Sequence, residues 1–475
     1  MRQEPDRQQL ALLYGKEDVE KLEKRSERVR QEFEARFGGP ARVLVSAPGR
    51  TESGGNHTEH QHGCVLAASV DKDVLAAAAP LPGSEFIVYS EGFGEIRGNL
   101  SAAATVTLSG TEPASDASPV AGVTAGSESA MIDWTPNEAE YGTTAALIRG
   151  VCAGLAEAGF AVGGFEAYLT SDVPGGSGMS SSAAFEVAIG LIQNALYNED
   201  RASAEQLARA GHVAENRFFG KPCGLMDQMA CSVGGLCFID FREPQAPVIR
   251  RIAFDPETFG YVMCITDTGS SHADLTADYA AIPAEMGAVA AFFGQNLLRG
   301  ISLDMLLANA GAVRASCGDR AFLRALHFVQ ENDRARQEAD ALEKGDFQFF
   351  LRLFRDSADS SFRFLQNVIS GHDPKAQDLA VAIAVSEALL RSADSADAAN
   401  GEGTGIAAGG VTNATPGTCG PDGVCRVHGG GFAGTVQTFV KKEKAAAYAA
   451  AMDAVFGTDA CQIIRLRPLG GARLI

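Results

Sequence analysis

The stretch Val173-Pro-Gly-Gly-Ser-Gly-Met-Ser-Ser-Ser-Ala-Ala184 constrains this chain more than any other. Before it, Phe165–Ser171 (FEAYLTS) reads as a strand; after it, Ser181–Tyr197 reads as a long helix with Phe185, Ala188, Ile189, Ile192 and Leu196 on one face. Such a turn puts the unpaired first N–H groups of a helix, and the positive end of its dipole, at an opening. Gly175, Gly176 and Gly178 let an anion approach the backbone, and Ser177, Ser180, Ser181 and Ser182 add hydroxyl donors, one of which could ligate Mg²⁺. A glycine-rich turn before a capped helix needs no ligand, but three consecutive serines exceed what a cap requires. No lysine follows, so this is not G-x-x-x-x-G-K-[ST]; nor is it G-x-G-x-x-G.

Around this loop the chain reads as mixed α and β. Residues 17–37 predict a helix facing inward through Val19, Leu22, Val29, Phe33 and Phe37, stopped by Gly38, Gly39 and Pro40. Strands are expected at Arg42–Ala47, Gly63–Val70, Val74–Ala79, Phe86–Tyr89 and Val436–Val440, and helices at Thr144–Gly159 and within 320–394. Residues 109–130 and 393–424 are rich in Ser, Ala, Gly and Pro and read as surface insertions too poor in large apolar residues to order themselves. The polar FREPQAP segment near 240–250 marks the expected main boundary. The predicted organisation is an N-terminal helical extension (1–37), one domain over 38–245 and a second over 246–475.

The 475 residues carry 40 basic and 59 acidic side chains, a net charge of −19. That balance argues against binding nucleic acid or an anionic membrane through a basic surface. No apolar run reaches the roughly 18 residues of a membrane span, and the charged N-terminus lacks the apolar core of a secretory signal, so a cytoplasmic protein is expected. Ten cysteines in this length are not a disulfide framework; Cys152, Cys231, Cys237 and Cys264 read as small buried hydrophobes. Cys419 and Cys425 lie in a loop-like region without C-x-x-C spacing.

Two polar segments carry candidate chemistry. In Pro48-Gly-Arg-Thr-Glu-Ser-Gly-Gly-Asn-His-Thr-Glu-His-Gln-His-Gly63, Arg50 is placed at a strand end, where a guanidinium can clamp a phosphoryl group, and Asn56, His57 and Glu59 suit sugar hydroxyls. A solvated loop would read the same way. His57, Glu59, His60 and His62 also offer metal donors, but H-T-E-H is neither H-E-x-x-H nor H-x-x-E-H. In Ala214-Glu-Asn-Arg-Phe-Phe-Gly-Lys-Pro-Cys-Gly-Leu-Met-Asp-Gln228, Asp227 sits among apolar neighbours and must find a partner, shift its pKa, or cap the following helix. A later glycine cluster, Arg426-Val-His-Gly-Gly-Gly-Phe-Ala-Gly-Thr435, is weak by itself.

Together PGRTESGGNHTEHQHG, VPGGSGMSSSAAFEVA, AENRFFGKPCGLMDQ and VHGGGFAGT resemble, in order, the motifs of the GHMP small-molecule kinase family and within it the galactokinases. The resemblance spans roughly 37–280 and 426–440 plus the tail. It implies a two-domain α+β GHMP kinase fold with mixed sheets, an active site in the interdomain cleft, and the cofactors ATP and Mg²⁺. It further implies that ATP lies on the 175–182 loop (Gly175, Gly176, Ser177, Gly178, Ser180, Ser181, Ser182), that Ser182 and Glu215 hold Mg²⁺, and that Asp227 and Arg50 are catalytic. Asn56, His57, Glu59, Gly224 and Tyr279 would line the sugar pocket, with Gly430 and Gly431 shaping it from the second domain. The implied reaction is ATP-dependent phosphorylation of galactose at its anomeric hydroxyl. The expected partners are a sugar and ATP, with no nucleic acid and no membrane, in a monomer or weak dimer.

The chain departs from that pattern in places. The usual Gly-Glu-His-Thr-Asp-Tyr is here Gly55-Asn56-His57-Thr58-Glu59-His60, and His428 replaces a usual threonine. A site built on hydroxyl hydrogen bonds is sensitive to such changes, so a kinase for arabinose, galacturonate or an N-acetylgalactosamine derivative is the alternative of the same class. A non-catalytic galactose sensor and a metallohydrolase using the histidines are the alternatives of other classes. The intact Ser-Ser-Ser-Ala-Ala run and the presence of Arg50 and Asp227 favour the enzyme over the sensor.

Overall fold

Two sheets and the helices that cover them make up the computed structural model, which describes residues 4–101, 107–108, 134–175, 178–270, 275–371, 375–391 and 422–475. Gly176, Ser177, Cys419, the insertion at 109–130 and nearly all of 393–424 lie outside the described residues. The larger sheet holds β1 (Val43–Gly54), β2 (Cys64–Pro80), β3 (Glu85–Ser90), β4 (Gly94–Asn99), β5 (Thr107–Leu108), β6 (Phe165–Ser171), β7 (Leu236–Asp240) and β8 (Val248–Ile252). The smaller holds β9 (Tyr261–Asp267), β10 (Gly423–His428), β11 (Thr435–Lys441) and β12 (Cys461–Ile464), and β13 (Ala472–Arg473) returns to the large sheet beside β1. The β3–β6 pair is parallel and its neighbours are antiparallel, the mixed sheet expected from the pattern.

Two expected strands, 63–70 and 74–79, are one. The Asp71-Lys72-Asp73 interruption is absorbed because Asp73, fully buried, receives Arg25 at 2.6 Å and the hydroxyls of Tyr14 and Ser46. β1 likewise outruns its expected end at Ala47. Register shifts at Pro48/Arg50 and Glu52/Gly54 carry it past Pro48 and Gly49, and it stays paired to β2 as far as Gly54.

The first helices, α1 (Arg7–Tyr14) and α2 (Val19–Phe37), are a layer of the fold rather than an extension. Leu10, Leu13, Val19, Leu22, Val29 and Phe33 pack on Leu44, Leu75, Ala77 and Tyr168 of the large sheet, and Gly38 ends α2 with φ 76°. On the opposite face lie α3 (Thr144–Glu157), α4 (Ser181–Tyr197), α5 (Ala204–Val213) and α6 (Met226–Val233). α4 is buried on nearly every side beyond its first turn, not on one face, because it is wedged between the sheet, α3, α5 and α6.

α7 (Thr276–Phe292), α8 (Leu303–Ala308), α9 (Ala310–Cys317) and α10 (Asp319–Glu343) enclose a second apolar centre around Ile282, Met286, Leu306 and Phe328. α11 (Phe347–Ser360) covers one face of the small sheet, setting Phe347, Phe350 and Phe354 edge-to-face about Phe439. α12 (Asp378–Leu390) and α13 (Ala445–Phe456) cover the other through Leu379, Ala382, Tyr448 and Met452.

Two boundaries differ from expectation. The 241–247 segment only joins β7 to β8 within the large sheet; the small sheet begins at Tyr261. The second low-complexity stretch gives way by Asp422, since Gly423 and Val424 already pair with Val440 and Phe439. Among the described residues no helix is long and apolar enough to cross a membrane, and the described cysteines are free thiols.

Candidate active site

Arg50 lies in mid-strand, 7 % exposed, not at a strand end. Its surroundings look like a polar loop in sequence, yet each polar neighbour finds an internal partner. Glu52 Oε1 accepts Arg426 Nη2 at 2.9 Å, and Thr51 and Ser53 accept the Gln437 amide. Arg50 is held at three points. Its N–H donates to the Met179 carbonyl at 3.0 Å, Nη1 donates to the Gly178 carbonyl, and Nε lies 2.8 Å from Asp227 Oδ1. Asp227 stands in the first turn of α6 and takes a second hydrogen bond, on Oδ2, from Ser180 Oγ. Burial opposes ionisation of Asp227, but the Arg50 charge and the hydrogen bonds of Arg50 and Ser180 outweigh it, so the carboxyl sits below its ordinary range.

Ser180 has a left-handed backbone, φ 56°, and opens α4. That conformation is costly for a residue with a side chain and is accompanied here by the bond to Asp227. Ser180 is therefore tied to the carboxylate rather than left at the mouth of the helix. Ser181 and Ser182 remain half-buried in the first turn, which holds no acidic side chain of its own; the carboxylates at this positive end of α4, Asp227 and Glu215, come from other elements.

The expected cation ligands converge: Ser182 Oγ and Glu215 Oε1 are 3.4 Å apart. Glu215 stands on a π-turn, Ala214–Phe218, that follows α5. Lys221 Nζ reaches the same oxygen at 2.7 Å, and Gln228 Nε2 joins Glu215 Oε2 (2.8 Å) to Glu186 Oε2 (3.0 Å). Burial, and then the nearby Glu215, push the Glu186 carboxyl well above its ordinary range. Among the described residues no three His, Cys, Asp or Glu side chains are set to hold a metal alone. One hydroxyl and one carboxylate beside a helix N-terminus instead suit Mg²⁺, which keeps waters and phosphate oxygens as its other ligands.

A cleft of about 850 Å³ opens beside Arg50 and gathers Asn56, His57, Glu59, Gly224 and Tyr279 in its walls. Two of these are less free than expected. The Asn56 amide donates to Glu52 Oε1 (3.1 Å) and the Gly429 carbonyl (2.6 Å), and accepts from Asn367 (2.9 Å) and Ser361 (3.3 Å). Its hydrogen-bonding capacity is spent inside the protein. Glu59 Oε1 accepts the backbone N–H groups of Leu225 and Met226, so Glu59, not Asp227, caps α6. Gly224 makes this possible: a Cβ there would lie 2.1 Å from the Glu59 carboxyl. His57 donates from Nε2 to the Gly430 carbonyl at 2.9 Å, and burial lowers its pKa to about 4, leaving Nδ1 as an acceptor. Tyr279 donates to the Gly431 carbonyl at 2.5 Å, and a Cβ at Gly430 would stand 2.6 Å from its ring. His60 lies within a short 3₁₀ turn, Glu59–Gln61, and His62 ends it.

Sequence reasoning missed the residues that hold the site in place. Glu186 follows Ser182 by one helical turn, a spacing that would have revealed it. Lys221 stands six residues after Glu215, in the same motif, whereas Gln437 and Arg426 carried no such signal, because their partners lie far away in sequence.

The comparisons fall on these same segments. Residues 31–80 match the galactokinase galactose-binding signature, and residues 146–235 match the GHMP kinases N terminal domain. Lactococcus lactis galactokinase, solved with galactose, is similar at a TM-score of 0.69 and 19% identity, over 94% of this chain and 99% of that one. Methanococcus jannaschii mevalonate kinase gives 0.55 at 12% identity over 90% and 99%. A D-glycero-D-manno-heptose 1-phosphate kinase from Bacteriodes thetaiotaomicron gives 0.51 at 13% over 91% and 98%. At these identities the likeness is one of fold, the two-domain α+β arrangement of the GHMP kinases.

Proposed function

We propose, from the premise that this chain has the GHMP kinase fold with its N-terminal domain and a galactokinase galactose-binding signature, that it is a sugar kinase. In this reading it transfers the terminal phosphoryl group of ATP to the anomeric hydroxyl of galactose. The observation that carries the proposal is the convergence of three distant segments: Arg50 of β1, Ser180 at the head of α4 and Asp227 of α6. The two sheets would be the cores of the two kinase domains, divided between Ile252 and Tyr261, with the cleft between them as the reaction site.

Bound Mg-ATP would supply the transferable group and a cation to neutralise its charge. The N-terminus of α4, with Ser181, would bind phosphate oxygens, and Ser182 with Glu215 would hold the metal. Phosphoryl transfer has a loose transition state, so positioning and charge stabilisation do most of the work. Arg50 places positive charge beside the acceptor. Asp227, ionised by that same charge, orients the hydroxyl and receives its proton as the O–P bond forms. A carboxylate so strongly stabilised is a weak base, which favours orientation over early proton removal.

The acceptor is the less determined half. Asn56 and Glu59 replace the family's acids, and both are engaged inside the protein, which favours a related sugar as the second reading. A panel of galactose, arabinose, galacturonate and N-acetylgalactosamine with Mg-ATP, with the phosphorylated position read by ³¹P and ¹³C NMR, tests both. A 1-phosphate of galactose supports the first reading, and that of another sugar alone supports the second. ATP-dependent phosphorylation of none of them rejects the enzyme.

A further inference from the structure

His428 ends β10 opposite Thr435 of β11 and is 2 % exposed. Its ring reaches hydroxyls on both sheets. Nδ1 is 2.8 Å from Thr435 Oγ1, and Nε2 is 3.0 Å from Oγ1 of Thr51, the residue after Arg50 on β1. Gln437 Nε2 also donates to Thr51 Oγ1, at 2.6 Å. The neutral ring donates at one of its two ends and accepts at the other. Gly178 faces the same pair, close enough that a Cβ there would lie 3.3 Å from both His428 Nδ1 and Thr435 Oγ1. Gly178 and Met179 in turn offer their carbonyls to Arg50.

We infer that His428 is a positioning residue for phosphoryl transfer, a two-ended strut that sets the Gly178–Met179 backbone against Arg50 and, through Arg50, aims Asp227. The inference rests on the kinase reading for its catalytic consequence and on this geometry for the strut. A threonine, with one short hydroxyl, cannot span both Thr51 and Thr435. The charged groups that act on the ring are Arg50, Arg426 and Asp227. Burial and the two arginines, against the pull of Asp227, bring its pKa down to about 3, so the strut stays neutral and works by shape.

The test compares His428→Ala with His428→Gln, whose amide can both donate and accept. His428→Ala should lose about tenfold or more in kcat, with KM for sugar and Kd for Mg-ATP changed less than about threefold, and His428→Gln should recover most of the loss. Parallel thermal unfolding separates this from a folding defect, which would lower both variants together. Imidazole ¹⁵N shifts, assigned by difference against His428→Gln, should show a neutral ring held in one tautomer from pH 5 to 9. A folded His428→Ala with wild-type kcat, or a ring that titrates in that window, overturns the inference. A wild-type protein inert towards every sugar would count against the kinase reading, and the tautomer measurement would still decide the strut.

Discussion

Asp227 Oδ1 and Arg50 Nε meet at 2.8 Å, although 177 residues separate them in the chain. Asp227→Asn keeps the shape of the carboxyl and removes its charge. Turnover should fall by about 10²–10⁴-fold, while Mg-ATP binding, followed by calorimetry, survives. Substantial residual turnover would take Asp227 out of the chemistry.

In the proposed mechanism the same pair would set the acid limit of activity. Arg50 holds the Asp227 carboxyl below its ordinary range, so the active ionised form persists above that low pKa and is lost only as pH falls through it. The acid limb of kcat/KM for wild type should therefore lie below the ordinary value of about 3.9. In Arg50→Gln, whatever activity is left should show that limb moved upward.

Gly224 and Glu59 form a unit. Gly224→Ala would drive a methyl group into the Glu59 carboxyl and loosen the cap of α6. Stability should drop by about 0.5–2 kcal/mol, the worth of a helix N-cap, with a rise in KM for the sugar. In a double-mutant cycle with Glu59→Ala the two losses should be less than additive. Full additivity would show that Gly224 acts elsewhere.

Glu59 also gives the fold a pH dependence. Burial, and then the nearby Asp227, push its pKa up to about 8. The folded state keeps a proton that the unfolded chain releases near 4.3, so this contribution to stability is largest below about 4.3 and declines as pH rises to about 8. Glu59→Gln cannot ionise and should gain on wild type across that window. Melting temperatures at pH 5 and pH 8.5 would read the gain, and a constant difference between the two proteins would contradict it.

Buried Asp73 ties the N-terminal helices to the sheet and the C-terminal segment, with Arg25 at 2.6 Å and Arg467 at 3.6 Å. Asp73→Asn leaves Arg467 uncompensated in the interior and should cost about 3–5 kcal/mol in chemical denaturation. Burial disfavours the Asp73 charge, but the two arginines hold its pKa low. Its stabilisation is present above the unfolded carboxyl value and is lost as pH falls through the folded one.

Elements built on local pattern could be read directly from the chain. Phe165–Ser171 and Ser181–Tyr197 form where expected, and Ser182, Glu215, Arg50 and Asp227 gather as the resemblance implied. What escaped depended on distant partners. The polar run from Arg50 to Asn56 is buried because Arg426, Gln437 and Asn367 arrive from more than 300 residues away. No period or propensity encodes those encounters. Asn56 and Glu59 line the cleft, but the bonds that occupy them come from α6, the Gly429 turn and Asn367, which only the assembled fold reveals.

Because Arg50 sits inside β1 just past the register shift at Pro48/Arg50, its aim is inherited from the strand before it and from that shift. With the shift kept, adding or losing a single residue between Val43 and Ala47 would turn the guanidinium to the opposite face of the sheet. Length variation among descendants of this chain should therefore be purged from that stretch, leaving point substitution as the main route by which the strand can diverge.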